Sequence, residues 1–583
     1  MGSINSSNRR SRMSSSVDLT SGQSEDLSRE EPEGGNEGEG GAAARGGDEV
    51  TDSDNEQHDL STILAYLIRS GQVRILHSDQ DEDYTDDDEG YFEHPKPAPI
   101  ADPNPDTSRI KKNDIYEETL LKTGRSSAFD KTHPTIPQML FKRQCGMQNQ
   151  GKFIPSDRRV ISKPFLPNSS TTLDNYRQKT FCGTYSVDGN IFLSASQDQC
   201  IRVYDTRDDE FKLLKKVRAR DVGWSVLDTA FSPDGNYMAY SSWSDCIHLC
   251  NVYGDEEIHQ ALPLHPNANS FCIFSLTFSS DNREIMGGAN DGNLYVYDRD
   301  SGQRSLKIET HEDDVNAVAF ADRSSQILFS GGDDGLIKVW DRRTLKEGSP
   351  VPVGIMAGHY DGITFIDSKG DSRYLLSNSK DQTMKLWDVR NFSPQDAIEQ
   401  TKRAVSKQRW DYRWQQVPKR MLKKPQLEGD GSVMTYRGHS VLHTLIRCRF
   451  SPEYSTGQRY VYTGCALGNL VVYDLLSGNV VRKLEGHRSC VRDVSWHPYE
   501  NNIMTASWDG TVRKWTYEAK DEINDLRVDS PDDNGNSDDD DDDESRRRRR
   551  SLRHCHEKRL SKKQRTSSQC EYLMPEKCGG LFD

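Results

Sequence analysis

Between about residues 158 and 518 the chain consists of short β-branched and aromatic runs broken by Gly, Asp, Asn and Ser. That is strand-and-turn sequence, and it repeats. The clearest unit is Ser507-Trp508-Asp509-Gly510-Thr511-Val512-Arg513-Lys514-Trp515. Aligned on its Asp and its terminal aromatic, it recurs as Asp198 leading to Tyr204, Asp291 to Tyr297, Asp334 to Trp340 and Asp381 to Trp387. Two degenerate copies place Ser244 before Cys250 and Leu467 before Tyr473. The aligned positions 204, 250, 297, 340, 387, 473 and 515 are separated by 46, 47, 43, 47, 86 and 42 residues. Upstream, His311, Gly358-His359, Gly438-His439 and Gly486-His487 lead their aromatics by 29, 28, 34 and 28 residues. The repeat ending at Tyr473 is therefore of nearly normal length, and the excess is an insert at 391–434, between the fifth and sixth repeats.

A repeat of ~40–45 residues with these landmarks is the blade of a WD-type β-propeller. The expected fold is all-β: a seven-bladed WD-repeat propeller over 158–518, which must close on itself because a lone blade leaves two faces and two edges uncovered. The last repeat stops at its third strand, so a fourth strand is expected from 158–167, with Val160-Ile161-Ser162 the best candidate. The recurring polar residues have a structural task. A His entering the blade, a Ser in the second strand, the turn Asp and the third-strand Trp can form one buried hydrogen-bond network. The sets are His359, Ser379, Asp381, Trp387 and His487, Ser507, Asp509, Trp515.

The flanks are different in kind. Residues 1–100 carry 23 Asp/Glu against 8 Lys/Arg, nearly the whole of the net charge of −16. Residues 1–157 are expected to be mostly disordered and 519–583 to form a disordered acidic-then-basic tail, since neither offers enough apolar groups to offset ordering entropy. In the tail six acids at 538–543 precede Arg546, Arg547, Arg548, Arg549 and Arg550, then Lys562 and Lys563, a candidate nuclear import signal. No apolar run reaches the ~18–20 residues of a membrane helix, and the N-terminus reads as polar rather than as a signal peptide. An intracellular protein, nuclear and cytoplasmic, is the expectation. The twelve cysteines include no Cys-x-x-Cys pair. No metal, cofactor or catalytic residue is expected: there is no P-loop, no Gly-x-Ser-x-Gly and no His-Glu-x-x-His.

Three elements carry function. At 59–69, Leu60, Ile63, Leu64, Leu67 and Ile68 form an apolar stripe at helical spacing, long enough for three turns and too short to stand alone. It must dock, on its own propeller or in a partner's groove; a second docking helix is expected at 113–123. The second element is an Arg two positions past the Asp that ends a third strand: Arg207 in Tyr204-Asp205-Thr206-Arg207, Arg343 in Trp340-Asp341-Arg342-Arg343, and Arg390 in Trp387-Asp388-Val389-Arg390. They leave equivalent strands and so share one face of the disc, where a planar fork suits an interface. The third is the insert, whose Trp410, Tyr412 and Trp414 alternate at strand spacing. They either cover the propeller's flank or bind substrate.

The Trp-Asp-x-Arg boxes at 340–343 and 387–390 resemble the signature of the WD-repeat substrate receptors of cullin-4 RING ubiquitin ligases. The likeness continues through Ile63-Leu64-Ala65-Tyr66-Leu67, through 219–228, 311–322 and 408–418, and over roughly 58–78 and 110–517 in all. It implies that the propeller docks on the damaged-DNA-binding adaptor protein of the cullin-4 core through Arg343 and Arg390, assisted by the 59–69 stripe. Tyr204 departs from the box, which weakens Arg207. The implied function is a non-catalytic receptor, monomeric in its complex, that brings unidentified protein substrates to ubiquitination, with no membrane or nucleic-acid partner. Two rivals stay open: a scaffold or histone/ribosome-assembly chaperone using the acidic N-terminus, and, more remotely, a hydrolase using the central channel.

Overall fold

The computed structural model describes residues 99, 101–124, 135–146, 152–254, 257–266, 270–423 and 427–519. The stripe at 59–69 and the tail arginines and lysines lie outside the described residues.

Seven four-stranded antiparallel sheets form a ring. Their innermost strands are Thr180–Tyr185, Asp228–Phe231, Ile273–Phe278, Val315–Phe320, Ile363–Ser368, Cys448–Phe450 and Val491–Trp496, opening blades one to seven. Each packs on the next, and the seventh packs on the first. The apolar clusters lie between neighbouring blades rather than within them. One joins Phe181, Leu193 and Val203 of blade one to Met238 and Tyr240 of blade two; another joins Phe329 and Val339 of blade four to Leu375 and Trp387 of blade five. A blade separated from its neighbours would expose both faces, so the ring is the unit of stability.

The fourth strand of blade seven is Ser169–Asn175, which pairs with Thr511–Thr516. This corrects the expectation for Val160-Ile161-Ser162, which lies in the helix Pro155–Ser162. Proline at the first helical position has the right φ and lacks an amide that would go unpaired, so Pro155 starts a helix where β-branched content alone suggested a strand. The true strand, Ser-Ser-Thr-Thr-Leu-Asp-Asn, buries none of its residues fully and carries little apolar signal. The turn before Thr511, which leads into that third strand, is set by Gly510 (φ +82), where a Cβ would strike the Tyr176 carbonyl oxygen at 2.4 Å.

The insert sits inside blade five, between its third strand Thr383–Asp388 and its outer strand Met434–Arg437, rather than between blades. Counting repeats from the third-strand aromatic moves every outer strand into the following repeat, so an insertion ahead of one reads as an inter-repeat segment. Its helix Gln395–Ser406 buries Ala397, Ile398, Thr401 and Ala404, with Ile398 against Leu336 and Ala357.

Three blades carry a four-member polar relay. In blade five Trp387 Nε1–H donates to Ser377 Oγ at 2.8 Å, Ser377 lies 2.7 Å from His359 Nε2, and His359 Nδ1 meets Asp381 at 3.0 Å. Blade seven repeats it with Trp515, Thr505, His487 and Asp509, and blade four with Trp340, Ser330, His311 and Asp334. The hydroxyl is thus Ser377 rather than Ser379, and Thr505 rather than Ser507. Residues i and i+2 share a face, so both serines point the same way. Trp387 pairs with Leu375, however, which puts Ser377 one step away and Ser379 two, about 13 Å along the strand. Ser379 and Ser507 instead donate to the carbonyls of Asp361 and Ser489.

Across the channel, Arg447 ahead of blade six binds Asp228 of blade two at 2.6 Å and Asp493 of blade seven at 3.0 Å, all three buried. Fully buried Arg492 reaches the carbonyls of Phe181 and Leu227. These groups tie blades one, two, six and seven around the axis. Among the described residues no helix is long and apolar enough to cross a membrane. Cys182, Cys250, Cys272, Cys448, Cys465 and Cys490 are buried free thiols.

Candidate functional site

Every blade runs its strands in the same order, so all third strands end on one face. Where such a strand ends in Asp, the carboxylate caps the backbone two residues on, an Asx-turn. At Asp341 it accepts from Arg343 N–H at 3.0 Å, Nε–H at 2.9 Å and Nη2–H at 2.6 Å. Asp388 takes Arg390 at 3.1, 2.9 and 2.7 Å, and Asp205 takes the backbone N–H and Nε–H of Arg207 at 3.0 and 2.9 Å. The chain folds back locally and each guanidinium is held in plane by its own Asp, the remaining N–H groups of Arg207 and Arg343 facing solvent. The Arg207 and Arg343 side chains are 69% and 67% exposed. The bonds from Arg207 draw the Asp205 carboxyl down to about 2, and those from Arg343 lower Asp341 in the same way. A fork already fixed by its own strand loses little side-chain entropy when a partner binds it.

Arg343 and Arg390 come from adjacent blades four and five. Arg207 stands in blade one, three blades further round, and its box has Tyr204 hydrogen-bonded to Tyr176 and Asp174 where the others have an indole. Arg390 differs in one respect that no local pattern announces. Its Nη1 donates to Asp114 Oδ2 at 3.0 Å, and Arg373 Nη2 reaches the same oxygen at 2.7 Å. The bonds of Arg390 to Asp388 and to Asp114 raise its pKa.

Asp114 opens the helix Asp114–Lys122, which lies on the propeller itself. Asn113 caps it, accepts from Tyr374 O–H at 2.6 Å and donates to Asp388 at 2.9 Å. Ile110, Ile115 and Leu120 enter the cluster formed by Tyr374, Leu386, Tyr436 and Tyr473 of blades five and six. Glu118 pairs with the buried Lys369 at 3.1 Å. Leu121, on the outer side, is 56% exposed. The docked helix therefore extends the arginine face with an acidic cap and one apolar residue. Sequence spacing could not have found this, because Asp114 and Arg390 are 276 positions apart.

The insert aromatics do not form a strand or share a face. Asp411 turns the chain, accepting from Arg413 N–H through its side chain at 2.9 Å and from Gln415 N–H through its carbonyl at 2.9 Å. Trp410 turns inward and donates Nε1–H to Asp361 at 2.9 Å; Tyr412 lies under Lys380 Nζ, 4.4 Å from the ring centre. Both pack toward Val417, Met421 and Leu442, while Trp414 is 75% exposed. The Asx-turn overrides the alternation, and one of the three remains open to a partner.

Comparison with known proteins adds to this geometry. Residues 171–205, 302–341, 350–388 and 478–516 match the WD domain, G-beta repeat. A Caenorhabditis elegans protein named DDB1- and CUL4-associated factor 11 homolog is 39% identical over 488 residues, covering 79% of this chain and 84% of that protein. The LEC14B protein of Lithospermum erythrorhizon is 41% identical over 66% of this chain and 83% of its own length. The guanine nucleotide-binding protein subunit beta of Saccharomyces cerevisiae is 25% identical over 57% of this chain and 76% of its own length. With identity near two in five across most of both chains, and with repeats, closure and boxes in place, the chain belongs to the WD-repeat family of the DDB1- and CUL4-associated factor 11 homologs and LEC14B proteins.

Proposed function

We propose that the protein is a substrate receptor of a cullin-4 RING ubiquitin ligase, docking on the DDB1 adaptor through the face that carries Arg343 and Arg390. The observation that carries this reading is the pair of exposed, internally braced guanidinium forks on adjacent blades, in a chain whose relatives are named for association with DDB1 and CUL4. The receptor performs no chemistry. It holds a client beside the transfer machinery and raises the effective concentration of the client's lysines there. Arg207 and the stripe Leu60, Ile63, Leu64, Leu67 and Ile68 are assigned to the same docking, and Trp414 to substrate contact.

The test is co-purification of DDB1 and CUL4 with the tagged full chain and with Arg343→Ala/Arg390→Ala. Arg343 faces solvent, and the bond of Arg390 to Asp114 is an exposed one backed by Arg373, so the melting temperature should move little. Loss of a hot-spot arginine costs ~2 kcal/mol, about thirty-fold in affinity for each. Full recovery of DDB1 with the folded double variant refutes the docking assignment; recovery of histones or ribosomal proteins in place of DDB1 and CUL4 favours a chaperone.

A further inference from the structure

The opposite face of the disc carries a second built site. There the loops entering blades one and two and the turn between the second and third strands of blade seven surround a depression of ≈ 490 Å³ lined by Arg177, Lys179, Trp224 and Trp508. The two indoles pack on the buried Phe181, the Trp224 ring edge-on at 5.2 Å and the Trp508 ring at 5.6 Å. Trp224 is 44% exposed, yet it is held in place. Gly223 before it lies against Trp243 so tightly that a Cβ would come within 2.8 Å of the Trp243 Cβ. Backbone packing thus fixes an exposed indole. Trp508 has a buried Nε1–H without a hydrogen-bond partner among the described residues.

The rim carries cations together with one carboxylate, Asp509, that is bonded within its own blade. Lys179 Nζ lies 3.9 Å from the Trp508 ring centre. Arg177 is exposed, and so is Arg488, which follows His487 on the neighbouring loop. None of these three cations has a carboxylate partner among the described residues. Asp509, the lining carboxylate, is already engaged by His487 Nδ1, the Thr511 hydroxyl and Arg488 N–H. Two indoles with unpaired cations around them suit a ligand with an apolar group and adjacent negative charge.

We propose that this depression binds the client: an extended peptide segment with neighbouring Asp or Glu residues beside one apolar side chain. The apolar group enters between Trp224 and Trp508, and the carboxylates meet Arg177, Lys179 and Arg488. The inference deepens the receptor reading and rests on it. Aromatics and cations also suit single-stranded nucleic acid. A polyanion crossing this face would, however, meet the exposed carboxylate of Asp313 at the loop entering blade four. A peptide with two or three acids needs only the cations at blades one and seven.

The experiment screens the immobilised full chain with a random 12-mer phage-displayed peptide library, then measures the enriched sequence as a fluorescent peptide by anisotropy. Expected are enriched peptides with two or more acids flanking an apolar residue, at least tenfold weaker binding when Asp and Glu are changed to Asn and Gln, and a similar loss with Arg177→Glu/Lys179→Glu and with Trp224→Ala. The double variant should still co-purify with DDB1, which separates failure of this site from failure of the receptor reading. Neutral or basic enriched sequences, no enrichment over uncoated wells, or peptide binding indifferent to these substitutions overturns the proposal. Tighter binding of a dT12 oligonucleotide than of the acidic peptide overturns it in favour of nucleic acid.

Discussion

Thr505→Val isolates the polar relay of blade seven, because it removes one hydroxyl while keeping the shape of the side chain. Thr505 Oγ1 lies 2.9 Å from Trp515 Nε1 and 2.6 Å from His487 Nε2. With a single proton on the imidazole, the indole donates to the hydroxyl, the hydroxyl to Nε2, and Nδ1–H to Asp509. The substitution strands a buried N–H and a buried imidazole nitrogen at ~1–3 kcal/mol each, part of which is recovered because no hydroxyl is desolvated. The net loss is about 2–4 kcal/mol. At ~2 °C per kcal/mol for a domain of this size, the melting temperature should fall by roughly 4–8 °C. Ser507→Ala, which touches only part-buried partners at the blade's end, should cost less than half as much. A cycle with Trp515→Phe checks the mechanism, since the cost of losing the indole N–H should shrink once its acceptor is gone. Urea and thermal unfolding of the full chain read all four states. If Thr505→Val melts like wild type, or Ser507→Ala costs more, the relay is not what holds the blade.

Two further outcomes follow from the same geometry. Burial lowers His439 to about 4 where it sits between Tyr473 and Asn378; the unfolded chain takes its proton near 6.5 and the folded chain does not. Stability should therefore drop as pH falls from about 6.5 toward 4, by up to roughly 3 kcal/mol, and His439→Gln should flatten that slope in pH-dependent urea unfolding. Ile115→Asp places a carboxylate in the cluster under the docked helix; it should release residues 110–122 to limited proteolysis and hydrogen exchange while the blade strands stay protected, and unchanged protection would mean the helix is held by Asn113 and Asp114 alone.

What could be read from the chain was whatever repeats or is local. Strands, turns and blade number followed from an Asp and an aromatic recurring at fixed spacing, and the Asp–Arg forks from two residues two positions apart. The relay was placed two residues off because Ser377 and Ser379 share a face, and only pairing with the next strand distinguishes them. Trp410, Tyr412 and Trp414 followed strand spacing until an Asx-turn at Asp411 broke it. The Asp114–Arg390 contact and the grouping of Trp224 with Trp508 join distant segments, and no short-range pattern encodes such meetings. The stretch 219–228 had the signal for Trp224, a long non-repeating loop before a blade, but gave no direction for its side chain.

Ring closure has a consequence for how the protein is made. The strand Ser169–Asn175 is translated before any blade exists, and its partner follows far behind; Thr171 and Lys514 are 343 positions apart. At ~5–20 residues per second, the ribosome needs on the order of 20–70 s to deliver that partner. Throughout that interval the nascent chain holds an unpaired Ser/Thr-rich strand and a growing open arc with two exposed blade faces. Its polar composition makes this waiting strand a poor template for aggregation, which an apolar closing strand would not be. A ribosome stalled before residue 511 would release an arc that cannot latch, so truncation at the last blade should mark the chain for chaperone capture rather than yield a six-bladed protein.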